Sequence, residues 1–148
     1  MKYSEAKPGR VFILRLEDGE VIHETIERFA AREGITHAAL TIHGGGDDGS
    51  VLVTGPRDTR GPPPIAPQTT PLAGAHEIVG LGTLFPDAKG EPLLHVHLAC
   101  GRGDQTVTGC IRTGVKTWHV VEVVLVELLG STARRLPDAA TGFELLVP

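Results

Sequence analysis

Apolar and polar residues alternate along this chain with two distinct periods. Residues 11–16 (VFILRL) are rich in β-forming side chains and predict a strand. Glu17-Asp18-Gly19-Glu20 breaks it, and Asp18 is positioned to cap a helix starting just beyond. Over residues 21–33, Ile22, Ile26, Phe29 and Ala30 recur at helical spacing, with Glu20, Glu24, Glu27, Arg28 and Arg32 on the opposite side. Gly34 suits the position after a helix, where a left-handed backbone is common. Beyond it the period falls to two. Residues 36–43 set Ala38, Leu40 and Ile42 on one face and His37, Ala39, Thr41 and His43 on the other. Residues 50–54, 76–85, 93–100 and 105–111 predict further strands. Residues 55–71 carry Pro56, Pro62, Pro63, Pro64, Pro67 and Pro71 and predict a long loop, because proline cannot donate to a ladder. Residues 115–129 are apolar on both faces, so burial on both is expected. Residues 142–147 would add an edge strand. One helix and about seven strands predict an α+β fold with a mainly antiparallel sheet, in a single domain over residues 1–148.

Composition narrows the class. Apolar residues make up 41% and charged residues 22%, the balance of a globular chain rather than a disordered one. Fourteen basic against eighteen acidic residues leave a net charge of −4, which argues against a dedicated nucleic-acid binder. Aromatics are only 4%, so base-stacking platforms are poorly supplied. No stretch reaches the roughly 18 apolar residues of a membrane span, and no apolar segment comes after Met1-Lys2-Tyr3-Ser4-Glu5, so the cytoplasm is the expected location. In that setting Cys100 and Cys110 are expected to be free or ligating rather than bridged.

The chemistry concentrates in Leu94-His95-Val96-His97-Leu98-Ala99-Cys100, the turn Gly101-Arg102-Gly103-Asp104, and Gln105-Thr106-Val107-Thr108-Gly109-Cys110-Ile111. His95 and His97 share one face of a strand, and Leu94, Val96 and Leu98 share the other. If Cys100 pairs with Gln105 across a four-residue turn, His97 faces Thr108 and His95 faces Cys110. His95, His97 and Cys110 would then converge, with Cys100 on the opposite face. Two imidazoles and a thiolate suit a zinc ion and leave a fourth position for water or a small-molecule ligand. The alternative is a polar patch of hydrogen-bonded histidines, with Cys110 a small buried hydrophobe.

Other candidates are weaker. His43-Gly44-Gly45-Gly46-Asp47-Asp48-Gly49 contains the spacing G-x-G-x-x-G, but a strand rather than a helix comes next, and two aspartates would repel phosphate. It reads as a flexible turn, with His43 ending its strand near the histidine patch. Glu122, in the long apolar strand, needs a partner, for which Arg15 is a candidate. Trp118 is expected in the core or at an interface, and His23 and His76 near the surface.

Several segments occur in a recognisable order. They are Gly9-Arg10-Val11-Phe12-Ile13-Leu14-Arg15-Leu16, an acidic-glycine turn, a helix ending in Gly34-Ile35, and a strand running into glycines. Then come Leu94-His95-Val96-His97, Gly109-Cys110, Val120-Val121-Glu122-Val123-Val124, and Arg135-Leu136-Pro137-Asp138 with Thr141-Gly142. Together they resemble the PPC (plants and prokaryotes conserved) domain, which follows AT-hook motifs in plant DNA-binding proteins and is usually the whole chain in prokaryotes. The resemblance implies an α+β fold assembled as a homotrimer and a DNA-binding label given by analogy with the plant proteins. It also implies a metal held by an H-x-H pair, matched by His95 and His97, and by a histidine after a glycine on the next strand. Cys110 stands at that third position here. The AT-hook core Arg-Gly-Arg-Pro has only Arg60-Gly61-Pro62 as a counterpart, without the second arginine.

Two functions are expected from these features. One is a homotrimeric assembly or regulatory module with a His/His/Cys metal site and no turnover. The other is a small zinc-dependent hydrolase or lyase on the same site, with His43 or Glu122 as base and the proline-rich loop as a lid. Direct DNA binding would rest on fold analogy alone.

Overall fold

The computed structural model describes residues Met1–Pro148. Its elements in chain order are β1 (Lys7–Glu17), α1 (Ile22–Glu33), β2 (Ala38–Gly46), β3 (Val51–Pro56), β4 (Pro67–Pro71) and β5 (His76–Pro86). Next come β6 (Pro92–Arg102), β7 (Gln105–Cys110), β8 (Thr117–Leu129), β9 (Arg134–Pro137) and β10 (Glu144–Val147). The first eight strands form one antiparallel sheet in the order β1-β8-β2-β5-β6-β7-β3-β4, and β9 and β10 form a separate pair. The expected α+β class and the single main helix are therefore observed. The strands beyond the seven or so expected are short and poor in apolar alternation.

One face of the large sheet is the core. Leu16, Leu40, Ile42, Leu84, Val96, Leu98, Val121, Val123 and Leu125 point inward and meet Ile22, Ile26 and Ala30 of α1. The helix ends as its sequence requires: Gly34 has φ 69° and ψ 28°, and its N–H reaches back to the carbonyls of the last turn. Its start differs from expectation. Val21 occupies the cap position without a side-chain bond, and Asp18 instead accepts a hydrogen bond from His119 N–H at 2.7 Å. The Glu27 carboxylate ties the helix to the sheet by accepting from Leu94 N–H at 2.8 Å.

Three further expectations are corrected. The glycine run is not a turn. Gly44, Gly45 and Gly46 lie in the ladders of β2, and the turn comes later, at residues 47–49. The run is needed for close approach: a Cβ on Gly44 or Gly45 would collide with the β8 backbone at Val120 or Trp118. His43 consequently sits within its strand, not at its end. The proline-rich stretch is a loop only over residues 57–66, because residues 67–71 pair with β3 as the outermost strand, where proline is tolerated. Finally, β8 is buried on one face only. Val121, Val123 and Leu125 are sealed, whereas Val120, Glu122 and Val124 lie on the opposite face and remain exposed within the single chain.

That second, open face is legible row by row from the ladder. One row runs Ile13–Val124–Thr41–Leu81–His97–Cys110, and the next Arg15–Glu122–His43–Val79–Ala99–Thr108. Its apolar members are far out of the core: Ile13 is 75% exposed and Leu81 69%. Opposite them, on the core face of β5, Gly80 and Gly82 let β6 come close, since a Cβ on either would meet the backbone of His97 or His95. Gly82→Ala is expected to overpack this seam and lower unfolding free energy by about 1–3 kcal/mol in urea denaturation. Gly19→Ala, at a residue with nothing within 4 Å of its would-be Cβ but a φ of 80°, would suffer only the strain of a left-handed backbone and serves as the control.

Candidate metal centre

The β6–β7 hairpin brings His95, His97 and Cys110 together on the open face. The register differs from the one expected. Arg102 pairs with Gln105, so the turn is Gly103-Asp104, Cys100 faces Val107, and His97 rather than His95 lies opposite Cys110. The whole of β7 has moved by two residues relative to expectation, which returns each side chain to its original face. The predicted triplet therefore survives the wrong register. A type of hairpin that favours glycine at a left-handed position explains the tighter turn, and Gly103 has φ 62°.

Within the triplet, His95 Nε2 and His97 Nε2 are 3.1 Å apart, and the three ligand atoms all lie within 4.8 Å of one another. Ligands of a tetrahedral zinc ion sit roughly 3.3–3.7 Å from each other, given metal–nitrogen and metal–sulfur bonds of about 2.0–2.3 Å. The donor set is thus close to the required spacing and needs only small side-chain rotations. His95 is half-buried, and burial first, then the charges of Arg135, His97 and Arg112, lower its pKa to about 4. Its imidazole is neutral at neutral pH, with a lone pair free to coordinate.

Cys100 takes no part. It is fully buried in the core, where burial pushes its thiol up to about 11. Both cysteines are free. His43 lies on the open face but two strands away from β6 and pairs with Glu122, Nε2 to Oε2 at 3.2 Å. Arg15, the expected partner of Glu122, is its cross-strand neighbour yet bonds Glu17 at 2.6 Å instead. His76 Nδ1 donates to Gly74 O at 2.8 Å, and Trp118 stacks edge-on against His119, both away from the triplet.

Arg135 is the residue that sequence reasoning missed as a site member. It is only 4% exposed and comes from β9, which packs against β5. Its Nη2 donates to Thr83 Oγ1 at 2.9 Å, and Thr83 is the cross-strand neighbour of His95. The segment before β9 is anchored by His37, whose Nε2 lies 2.9 Å from Ala133 O. The available signal was the pair Arg134-Arg135 ahead of Leu136-Pro137, which carries no periodicity.

A small α+β domain with a one-sided core and a His/His/Cys cluster on its other face is the class so defined. The sequence profile of the Plants and Prokaryotes Conserved (PCC) domain matches residues 3–129, and the chain belongs to that family. The bifunctional protein GlmU of Synechococcus sp. (strain JA-3-3Ab) is 30% identical over 138 residues, which is 90% of this chain and 20% of that protein. The chain thus spans about a fifth of the length of this curated relative. Among solved structures, a plant- and prokaryote-conserved protein of Pyrococcus horikoshii superposes with a TM-score of 0.84 at 24% identity, covering 100% of this chain and 98% of that one. A metal-containing protein of Archaeoglobus fulgidus gives 0.85 at 23% identity, with 100% of both chains covered. A Ralstonia eutropha protein with a provisional DNA-binding name gives 0.69 at 17% identity, over 92% of this chain and 90% of that one.

The depressed His95 pKa has a consequence for stability. The folded state binds fewer protons at His95 than the unfolded state between pH 6.5 and about 4, so its contribution is full above that window and lost as pH falls through it. Thermal melts of metal-free protein from pH 7.5 to 4 are expected to show Tm falling across the window. His95→Gln should flatten that fall, and an unchanged slope would contradict the assignment.

Proposed function

We propose that this protein is a self-assembling module, a homotrimer by its family resemblance, that holds a divalent metal, zinc by its donor set, through His95, His97 and Cys110. The convergence of those three ligand atoms within 4.8 Å carries the metal reading. Supporting it, the fold neighbour from Archaeoglobus is described as metal-containing. The metal's part would be Lewis acidity and charge at a fourth, open coordination position. The protein's part is to present two imidazoles and a cysteine sulfur on a rigid hairpin, locked to α1 through Glu27.

Assembly is supported by the open face. Val11, Ile13, Val79 and Leu81 are each more than half exposed, and Val120 and Val124 extend the same surface. An apolar surface of this kind marks an interaction site rather than a solvated face. The adjoining rows carry Arg15, Glu122 and His43, a polar rim able to fix the orientation of a docked copy.

The enzyme reading would draw on the fourth coordination position that three protein ligands leave to a bound metal. Its base is less well placed, because His43 and Glu122 bond each other two and three strands away from β6. Direct DNA contact has less support still. The chain carries a net charge of −4, while sequence-independent affinity rests on neutralising phosphates. No helix is long and apolar enough to cross a membrane. A cytoplasmic location belongs to the same proposal.

Elemental analysis of protein purified without chelator, with light scattering on the same sample, tests both parts. Near one zinc per chain and a mass three times that of the chain are expected. Cys110→Ala and His97→Ala should each lose most of the metal while keeping the mass, and Leu81→Asp should keep the metal while losing the mass. Metal far below stoichiometry after incubation with zinc would overturn the ligand reading.

A further inference from the structure

The site contains more positive charge than a metal-binding role requires. Arg135 is buried beside His95, and of its N–H donors only the Nη2 bond to Thr83 Oγ1 is made within the chain. Its Nε is buried without a hydrogen-bond partner, although the guanidinium lies 5.8 Å from the centre of the Phe85 ring. An unsatisfied buried donor is costly, and native chains carry few of them without a use. Arg112 adds a second cation. It lies just after β7, in the turn that Gly114 N–H closes on Ile111 O, near enough for its charge to act on both His95 and Arg135. Arg112 is exposed, so its guanidinium is free to turn toward the site.

The surrounding charges do not cancel. A divalent ion on His95, His97 and one thiolate leaves a positive centre, and Arg112 and Arg135 increase it. Two acidic groups act on Arg135: Cys110, already counted as the thiolate, and Glu144 from the neighbouring strand β10. One carboxylate against two guanidiniums and the metal leaves the sum positive. Such a centre in a partly desolvated place attracts an anion, and guanidinium groups match oxyanions in shape as well as charge.

From this arrangement we infer that the centre is a receptor for a small oxyanion, a carboxylate or a phosphate, with one oxygen on the metal's fourth position and another on Arg135, and with Arg112 closing over it. The inference rests on the metal reading for the first contact only; the arginine contacts stand independently of it. Thr83 holds Arg135 in place, and His37 and Ala133 hold the segment that delivers it.

The test titrates metal-free and cobalt(II)-loaded protein with inorganic phosphate and, separately, with acetate, in chloride-free buffer. The visible spectrum of cobalt reports the coordination sphere, and the NMR signals of the arginine Nε–H groups report the guanidiniums. Saturable binding that shifts the Arg135 Nε–H signal and changes the cobalt spectrum is expected, weakened about tenfold or more in Arg135→Gln. Arg112→Gln, at an exposed residue, should weaken binding as well and carries the test if the buried variant fails to fold. Response to phosphate alone or to acetate alone assigns the oxyanion class. Failure to take up cobalt, with an Arg135 signal that still shifts on anion addition, would remove the metal reading and leave the oxyanion receptor. Cobalt uptake with a spectrum and arginine signals indifferent to both anions, or equal binding in the arginine variants, would overturn the inference while the metal reading stands.

Discussion

Strict alternation along β6 is the constraint on which the rest of this structure depends. Leu94, Val96 and Leu98 must enter the core, so His95 and His97 must leave it on the other side. The neighbouring strands accept this only because Gly80 and Gly82 offer no side chain where β5 meets β6. On the opposite edge of β6, the ladder to β7 sets Cys110 beside His97. Burial of an apolar row thus presents a ligand row, and the chemistry of the open face is a consequence of the packing of the closed one.

The open face serves two kinds of contact in different places. Toward β1 and β8 it is apolar, with Ile13, Val120 and Val124 in view of solvent in the isolated chain. Toward β6 and β7 it turns to imidazole, thiol and hydroxyl. The small β9–β10 pair covers the latter end and delivers a buried guanidinium to it. An apolar region suited to another copy of the chain and a cationic, ligand-bearing region suited to a metal and an anion therefore adjoin on one sheet. The strands β2 and β5 lie between the two regions and connect them through one continuous ladder.

The DNA-binding description common among fold neighbours looks different against these physical properties. A protein that neutralises phosphates needs clustered cations on an accessible surface. Four of the ten arginines of this chain are committed elsewhere: Arg10 to Glu127, Arg15 to Glu17, Arg32 to Glu33 and Arg102 to Ala75 O. Arg112 and Arg135 act together beside the histidine–cysteine cluster, an arrangement that suits a small anion better than a duplex.

Much of this was determined by the sequence alone. Periodicity located α1, β2, β5, β6, β7 and β8, and the parity of His95, His97 and Cys110 placed them on one face whatever the exact pairing. Parity is a local property of the extended chain, so a register error of two residues left it intact. Tertiary structure decided what depends on distant partners. Gly44–Gly46 became a strand because β8 crosses close to them, and residues 67–71 became an edge strand because β3 needed a neighbour. Val120 and Val124 stayed exposed because a single chain supplies helix and core to one side of its sheet only. Arg135 reached the centre through a two-stranded excursion that no period announces. Side-chain direction is written in the local alternation of a strand, whereas the neighbours that a side chain meets are set by packing across the whole chain.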